Sequence, residues 1–309
     1  GVSITNTVDS FIVNQLGGPE ISRYILAPLC VGLMTLALAF GNAIMLKIAQ
    51  FVVYPLIVAL AVVSLYLIPQ WDLGSFMEAG DHTAGGVIKA IILILPVLVF
   101  SFSFVAAISQ FSLGMEKEYG ADHHSQSDKV IRNSAILLTI FTMFFVWSCA
   151  LAMGADGMQE ANDKNLPVLS YFANETGTPF MAYMAPIVVI CAVASSYFGH
   201  ALGTIEGTQY LFNLAAPKAT KKMSARTLDL WTYLFIFITT SLVGIFNPSI
   251  LDMISVVGGV FFAFMTYLLP IWVIYRVEAL ARFRGKKTNY FVAVMGLIVL
   301  FATIWGMFQ

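Results

Sequence analysis

Charge is what this sequence of 309 residues most lacks, since only 11% of its residues are Asp, Glu, Lys or Arg. Soluble domains carry nearer ~25% charged residues, because their surfaces face water. The 16 basic and 17 acidic residues nearly cancel, so no basic surface is available to bind nucleic acid. With 59% hydrophobic residues, the chain is predicted to be an all-α integral membrane protein surrounded by lipid.

Cysteine and catalytic motifs are also scarce. The three cysteines, Cys30, Cys149 and Cys191, lie in apolar runs without C-x-x-C spacing, so neither a disulfide framework nor a zinc site is indicated. No G-x-x-x-x-G-K-[ST], H-E-x-x-H or G-x-S-x-G motif occurs, so the sequence shows no motif for ATP binding or for the common hydrolase reactions. We therefore expect a protein that is not an enzyme and that needs no metal or organic cofactor.

Long apolar runs, by contrast, are abundant. A bilayer core of about 30 Å requires about 20 apolar residues of helix. Eight complete candidate spans meet this requirement, namely 23–45, 48–69, 87–113, 131–154, 178–212, 230–247, 253–275 and 289–308. Residues 1–16 read as the tail of a further helix, so we expect an N-terminally truncated copy of a single transmembrane domain that here occupies residues 1–309.

The basic residues are distributed unevenly among the segments that connect these spans. Thirteen of the 16 fall in alternate segments, around 46–47, 114–132, 213–229 and 276–288. Because Lys and Arg near span ends favour the cytoplasmic side, these four segments are predicted to be cytoplasmic. The segments around 70–86 and 155–177 then become external loops, and Gln309 lies outside the cytoplasm.

The predicted span 87–113 has an unusual centre, with Pro96 and the small polar residues Ser101, Ser103 and Ser109 among apolar side chains. A proline removes a backbone donor, so the freed carbonyls need another partner. Many transporters bind their substrates at such a broken helix near the membrane midplane. The alternative is a kinked packing helix whose serines bond to their own carbonyls.

The predicted span 178–212 carries Ser195, Gly199, Gly203 and Gly207 at four-residue spacing. Small residues at this spacing let another helix backbone approach closely, because attraction between helices in lipid depends on van der Waals packing. We therefore predict that the three glycines serve helix packing, with direct substrate contact as the alternative.

Ser196, His200 and Thr204 repeat on an adjoining face of the same span, with Glu206 nearby. An ionisable residue within a span is unfavourable without a partner or a water-filled path, so His200 and Glu206 are candidates for proton coupling or gating. The alternative is an interfacial pair that fixes the helix end. The hydroxyls of Ser195 and Ser196 are candidate sodium ligands, or else they bond within their own helix.

Several segments together resemble the hydroxy and aromatic amino-acid permeases, and in particular the bacterial serine and threonine permease branch. They are VSITNTVDSFIVNQL at 2–16, LPVLVFSF at 95–102, FFVWSCAL at 144–151, YMAPIVVI at 183–190, FGHALGTIEG at 198–207 and NPSILDMISVVGG at 247–259. The resemblance implies membership of the amino-acid, polyamine and organocation superfamily, with eleven helices in two inverted five-helix repeats. This chain would supply part of helix 3 and then helices 4 to 11, with helices 1 and 2 missing.

The resemblance also implies site residues. It puts the substrate-binding break of the sixth helix at Ser101, Phe102, Ser103 and Phe104, and it matches the family's Gly-His and Glu-Gly positions to Gly199, His200, Glu206 and Gly207. The serine branch continues after the Ser-Phe pair with Asn-His-Ser-Pro, where this chain has Ser-Phe-Val-Ala, which implies a more apolar pocket. It also carries a lysine where this chain has Ser195, which keeps sodium coupling open.

We therefore expect a secondary active symporter of the bacterial inner membrane that imports a small neutral amino acid such as serine or threonine, driven by protons. Sodium coupling and an aromatic or apolar amino acid as substrate remain alternatives. A non-transporting membrane sensor or scaffold is the alternative from another class. The sequence does not indicate an oligomeric state.

Overall fold

In the computed structural model of the protein, the described residues are 1–38, 42–78, 83–175 and 178–307. Every regular element within these ranges is helical, as the apolar runs predict. The α-helices are α1 (Val2–Ser10), α2 (Arg23–Leu38), α3 (Asn42–Leu67), α4 (Leu73–Glu78), α5 (Ala84–Ser101), α6 (Val105–Tyr119), α7 (His123–Asp163), α8 (Val168–Glu175), α9 (Pro179–Ala215), α10 (Pro217–Thr220), α11 (Ala225–Phe246), α12 (Ile250–Val256), α13 (Leu269–Arg276) and α14 (Lys287–Gly306). Stretches of π-helix cover Phe11–Gln15, Val257–Phe262 and Phe264–Leu268.

Within the described ranges, seven helical stretches are long and apolar enough to cross a membrane. They are Phe51–Gln70, Ala84–Ser101, Phe111–Asp163, Pro179–Ala215, Ala225–Phe246, Ile250–Arg276 and Lys287–Gly306. Helix α2 is apolar but shorter. Large apolar side chains such as Phe51, which is 80% exposed, cover the outer surface, as is required of a protein whose solvent is lipid. The all-α membrane fold is confirmed, while the five-plus-five inverted repeat stays a prediction.

The predicted bounds of two connecting segments are wrong. The turn predicted around 46–47 falls inside α3, because an isolated lysine such as Lys47 does not end a helix when its long side chain can reach water along the apolar surface. The predicted external loop 155–177 contains α8, whose Leu169 and Phe172 are buried. Gln309, whose side of the membrane the sequence predicts, lies outside the described residues, as does Asp81 of the predicted external loop 70–86.

The chain packs as two compact units, and the prediction of one transmembrane domain over residues 1–309 stays a prediction. The first unit comprises Gly1–Glu78 and Ser109–Pro248. Its largest core joins α3, α7, α8 and α9 through buried side chains that include Val63, Phe172 and Met181. Cys149 belongs to this core and is 5% exposed, as a small packing residue would be.

Three asparagines connect distant segments of the first unit. The Asn6 side-chain amide donates to the Asn165 carbonyl at 2.8 Å and to Asn247 Oδ1 at 3.2 Å. The Asn165 amide donates to Asn247 Oδ1 and to the Pro248 carbonyl, both at 3.0 Å. Asn165 and Asn247 have φ angles of 51° and 49°, in the left-handed region that asparagine tolerates better than most residues. Asn247 thus ends α11 and links it to α1.

Replacing Asn247 separates the backbone contribution from the hydrogen-bond contribution. Asn247→Gly keeps the left-handed conformation and loses the side-chain bonds, so the free energy of unfolding should fall by about 1 kcal/mol. Asn247→Ala adds the strain of a left-handed alanine, for a total of about 2–3 kcal/mol. Thermal unfolding in detergent measures both variants, and equal losses would exclude backbone strain at this position.

An ionic cluster joins α8 to the end of α7. Lys164 Nζ lies 2.6 Å from Glu160 Oε1 and 3.9 Å from Glu175 Oε1. The Tyr171 hydroxyl donates to Glu160 Oε2 at 2.5 Å. This hydrogen bond to a carboxylate, together with burial, raises the pKa of Tyr171 to about 12. Tyr171 therefore stays a hydrogen-bond donor at neutral pH.

The second unit comprises Ala79–Ile108 and Ser249–Gln309, and its helices α5 and α14 pack around the π-helical stretches. Its core contains Val99, Ala263 and Val299. A Cβ atom added at Gly258 would overlap the Pro96 carbonyl oxygen, so the missing side chain is what allows α5 to lie this close.

Candidate functional site

The helix break implied by the family resemblance is present in the second unit. Helix α5 ends at Ser101 and α6 begins at Val105. The Phe102 amide donates to the Leu98 carbonyl at 3.0 Å, and the Ser103 amide donates to the Phe100 carbonyl at 3.3 Å. Pro96 lies within α5, so the helix is interrupted after the proline rather than at it.

The four residues predicted to bind substrate have different environments. Phe102 and Ser103 line a cavity, and the Ser103 hydroxyl is buried without a hydrogen-bond partner among the described residues. The Ser101 hydroxyl donates to the Val97 carbonyl at 2.8 Å, as the packing alternative expects. Phe104 is 45% exposed. The side chain of Ser109 lies outside the described residues. The binding roles of all four residues stay predictions.

The cavity beside the break has a volume of about 210 Å³. Its lining residues are Leu95, Leu98, Val99, Phe102, Ser103, Thr266, Tyr267, Met295 and Val299. Apart from the three that carry hydroxyls, their side chains are apolar. Pockets for drug-sized ligands measure roughly 300–1,000 Å³, so this cavity suits a smaller molecule.

Thr266 is a residue that the sequence did not single out. It lies in the π-helical stretch Phe264–Leu268, and its buried hydroxyl, like that of Ser103, has no partner among the described residues. A π-helical stretch inside a span has no clear apolar periodicity, and such stretches are frequent at functional sites. Two features of the sequence could have drawn attention to Thr266. It is a polar residue within an apolar run, and the glycine pair Gly258 and Gly259 lies earlier in the same run.

Of the candidate coupling residues of α9, which lies in the first unit, Ser196, His200 and Glu206 are exposed and Ser195 is partly buried. His200 Nδ1 lies 2.8 Å from the Ser196 carbonyl oxygen. Because a carbonyl only accepts, the ring carries its hydrogen on Nδ1, and Nε2 of the neutral ring can accept a proton. The Thr204 hydroxyl donates to the His200 carbonyl at 2.9 Å, and Glu206 is exposed. The Ser195 hydroxyl donates to the Ala192 carbonyl at 3.0 Å.

Two of the three glycines of α9, Gly199 and Gly207, face open space. In the part of the chain that the structure describes, no atom outside the adjacent turns of α9 lies within 4 Å of a Cβ built on Gly199 or Gly207. Gly203 is partly exposed. Their packing role therefore stays a prediction, as do the coupling roles of Ser195, Ser196, His200 and Glu206.

Comparison with known proteins gives consistent matches along the chain. The family model described as transmembrane amino acid transporter protein matches residues 21–309. The serine transporter SdaC of Escherichia coli K12 is 36% identical over 313 residues, which are 100% of this chain and 73% of the relative. The threonine/serine transporter TdcC of Yersinia enterocolitica is 35% identical over 326 residues, 99% of this chain and 74% of the relative. No solved structure matches.

These matches confirm two predictions made from the sequence. One is the resemblance to the serine and threonine permease branch. The other is the expectation of a transport protein rather than an enzyme.

Proposed function

The chain belongs to the transmembrane amino acid transporter family, and on that premise we propose that it is a secondary active symporter that imports serine or threonine, driven by protons. It would act as a multi-pass protein of the bacterial inner membrane, with its C-terminus on the external side. The names of its relatives, which are serine and threonine/serine transporters of bacteria, support this choice of substrate.

The helix break at 102–104 beside a small cavity is the observation that carries the proposal. The last carbonyls of one helix and the first N–H groups of the next have no partners within their own helices, and of these carbonyls those of Leu98 and Phe100 bond to the break residues Phe102 and Ser103. Helix N-termini attract carboxylates, whereas carbonyl ends attract cations, so a break of this kind matches both charged groups of a free amino acid. Binding therefore needs no charged side chain in the cavity.

His200 is the proposed proton carrier. Its Nδ1 hydrogen bond to the Ser196 carbonyl holds the ring in the tautomer whose Nε2 can bind a proton. Protonation would then be linked to the conformational change, with Glu206 as a secondary candidate. Sodium is the alternative driver, with Ser195 and Ser196 contributing oxygen atoms.

Uptake into proteoliposomes tests the proposal. The purified protein is reconstituted and supplied with radiolabelled serine, threonine, alanine, phenylalanine and leucine under an imposed proton or sodium gradient. We expect serine or threonine to accumulate under the proton gradient and not in its absence.

Other outcomes of this experiment point to the alternatives. Accumulation under a sodium gradient alone would show that sodium, not the proton, drives transport. Accumulation of phenylalanine or leucine alone would show that the substrate is an aromatic or apolar amino acid. No accumulation under either gradient, together with no binding, would favour a membrane sensor or scaffold.

A further inference from the structure

The buried hydroxyls of Ser103 and Thr266 differ from most helical hydroxyls of this protein. Serine and threonine in a helix usually bond to the carbonyl four residues earlier. In this structure that bond is made, for example, by Thr35, Ser64, Thr139, Thr204, Thr232 and Thr303, at 2.8 to 2.9 Å. Ser103 and Thr266 make no hydrogen bond within the described residues.

Both hydroxyls lie where the backbone departs from α-helical geometry. Ser103 lies in the break between α5 and α6, where the chain is not helical. Thr266 lies in a π-helical stretch, whose wider turn changes the position of the carbonyl four residues earlier. A buried hydroxyl without a partner is unfavourable by roughly 1–3 kcal/mol, which a suitable ligand would recover.

Ser103 and Thr266 both line the cavity beside the break. Each hydroxyl can donate one hydrogen bond and accept others, so the pair can bind a hydroxyl that donates to one residue and accepts from the other. The rest of the lining is apolar except for Tyr267. An apolar side chain of similar size would leave the two hydroxyls unpaired.

We infer that Thr266 and Ser103 together form a subsite that selects an amino acid with a side-chain hydroxyl over its apolar analogue. This inference rests on the proposed function, and it assigns Thr266 as a specificity-determining residue. The pocket is thus apolar in most of its lining and still selective for serine or threonine, because discrimination comes from two freed hydroxyls.

The test compares transport of serine with transport of alanine in proteoliposomes, using Vmax/KM for each. Thr266→Val and Ser103→Ala remove one hydroxyl each with little change in shape, and Thr266→Ser restores a hydroxyl at position 266. Thr232→Val is the matched control for the threonine, because Thr232 is fully buried and its hydroxyl bonds to Leu228. Ser148→Ala is the matched control for the serine, because the Ser148 hydroxyl is also buried and unpaired but lies outside the cavity lining.

We expect Thr266→Val and Ser103→Ala each to lower the ratio of Vmax/KM for serine to Vmax/KM for alanine about 10-fold. Thr266→Ser, which keeps a hydroxyl, should retain most of the wild-type ratio. Both controls should keep the wild-type ratio. Equal losses of serine and alanine transport, or a ratio that Thr266→Val does not change, would overturn the inference while leaving the proposed function intact. Failure of the wild-type protein to transport either amino acid would instead overturn the proposed function and the inference with it.

Discussion

Gly258→Ala is expected to reduce the stability of the protein by about 3 kcal/mol or more. The added Cβ would overlap the Pro96 carbonyl oxygen and lie 2.8 Å from the Phe100 Cβ. Neither atom is the end of a flexible side chain, so the backbone of α5 must move away from the π-helical stretch. Overpacking of this kind is usually unfavourable by about 1–3 kcal/mol, and by more when the backbone has to shift. Thermal unfolding in detergent measures the loss.

Gly114→Ala is the matched control for this substitution. Gly114 lies in α6, and no described atom outside the adjacent turns of that helix comes within 4 Å of a Cβ built there. Because alanine favours a helix by about 1 kcal/mol over glycine, this variant should be as stable as the wild type or slightly more stable. If the Gly258→Ala and Gly114→Ala variants have the same unfolding temperature, α5 does not pack closely on the π-helical stretch Val257–Phe262.

His200→Ala is expected to abolish proton-driven accumulation, with a decrease of at least about 10-fold in serine uptake against a concentration gradient. A histidine ring can bind and release a proton at its second nitrogen, which an alanine side chain cannot do. Without it, exchange of internal for external serine should persist, because exchange needs no net proton movement. Uptake and exchange are measured in proteoliposomes at several external pH values.

Thr204→Ala serves as the control for His200, since Thr204 lies one helical turn further along the same exposed face. Among the described residues its hydroxyl bonds only to the His200 carbonyl, at 2.9 Å, so its loss should leave proton coupling unchanged. Wild-type accumulation by the His200 variant would remove the histidine from the mechanism and make Glu206 the next candidate to test.

The transmembrane helices could be predicted because lipid imposes a simple rule on the sequence. A span must be apolar over about 20 residues, so runs such as 230–247 and 289–308 correspond closely to α11 and α14. Connections are less constrained, which is why the predicted turn at 46–47 lies inside α3. Helix α8 was missed because its eight residues are too short for a span.

The candidate site was only partly predictable. The break at 102–104 was implied by family resemblance, since no local rule requires a helix to stop after Pro96. Thr266 was missed because its importance depends on a π-helical stretch and on a cavity formed with α5 and α14. His200 and Glu206 were conspicuous because ionisable residues are rare within apolar runs.

The sequence by itself determined the membrane environment, the approximate positions of most membrane-spanning helices and the family, because hydropathy and local motifs are properties of contiguous residues. Only the tertiary structure decided which hydroxyls bond to their own helices and which remain free. Ser101 and Ser103 are two residues apart and chemically identical, yet one donates to Val97 and the other lines the cavity unpaired. The difference arises because hydrogen bonding depends on local backbone geometry and on neighbouring helices, neither of which is a property of a single residue.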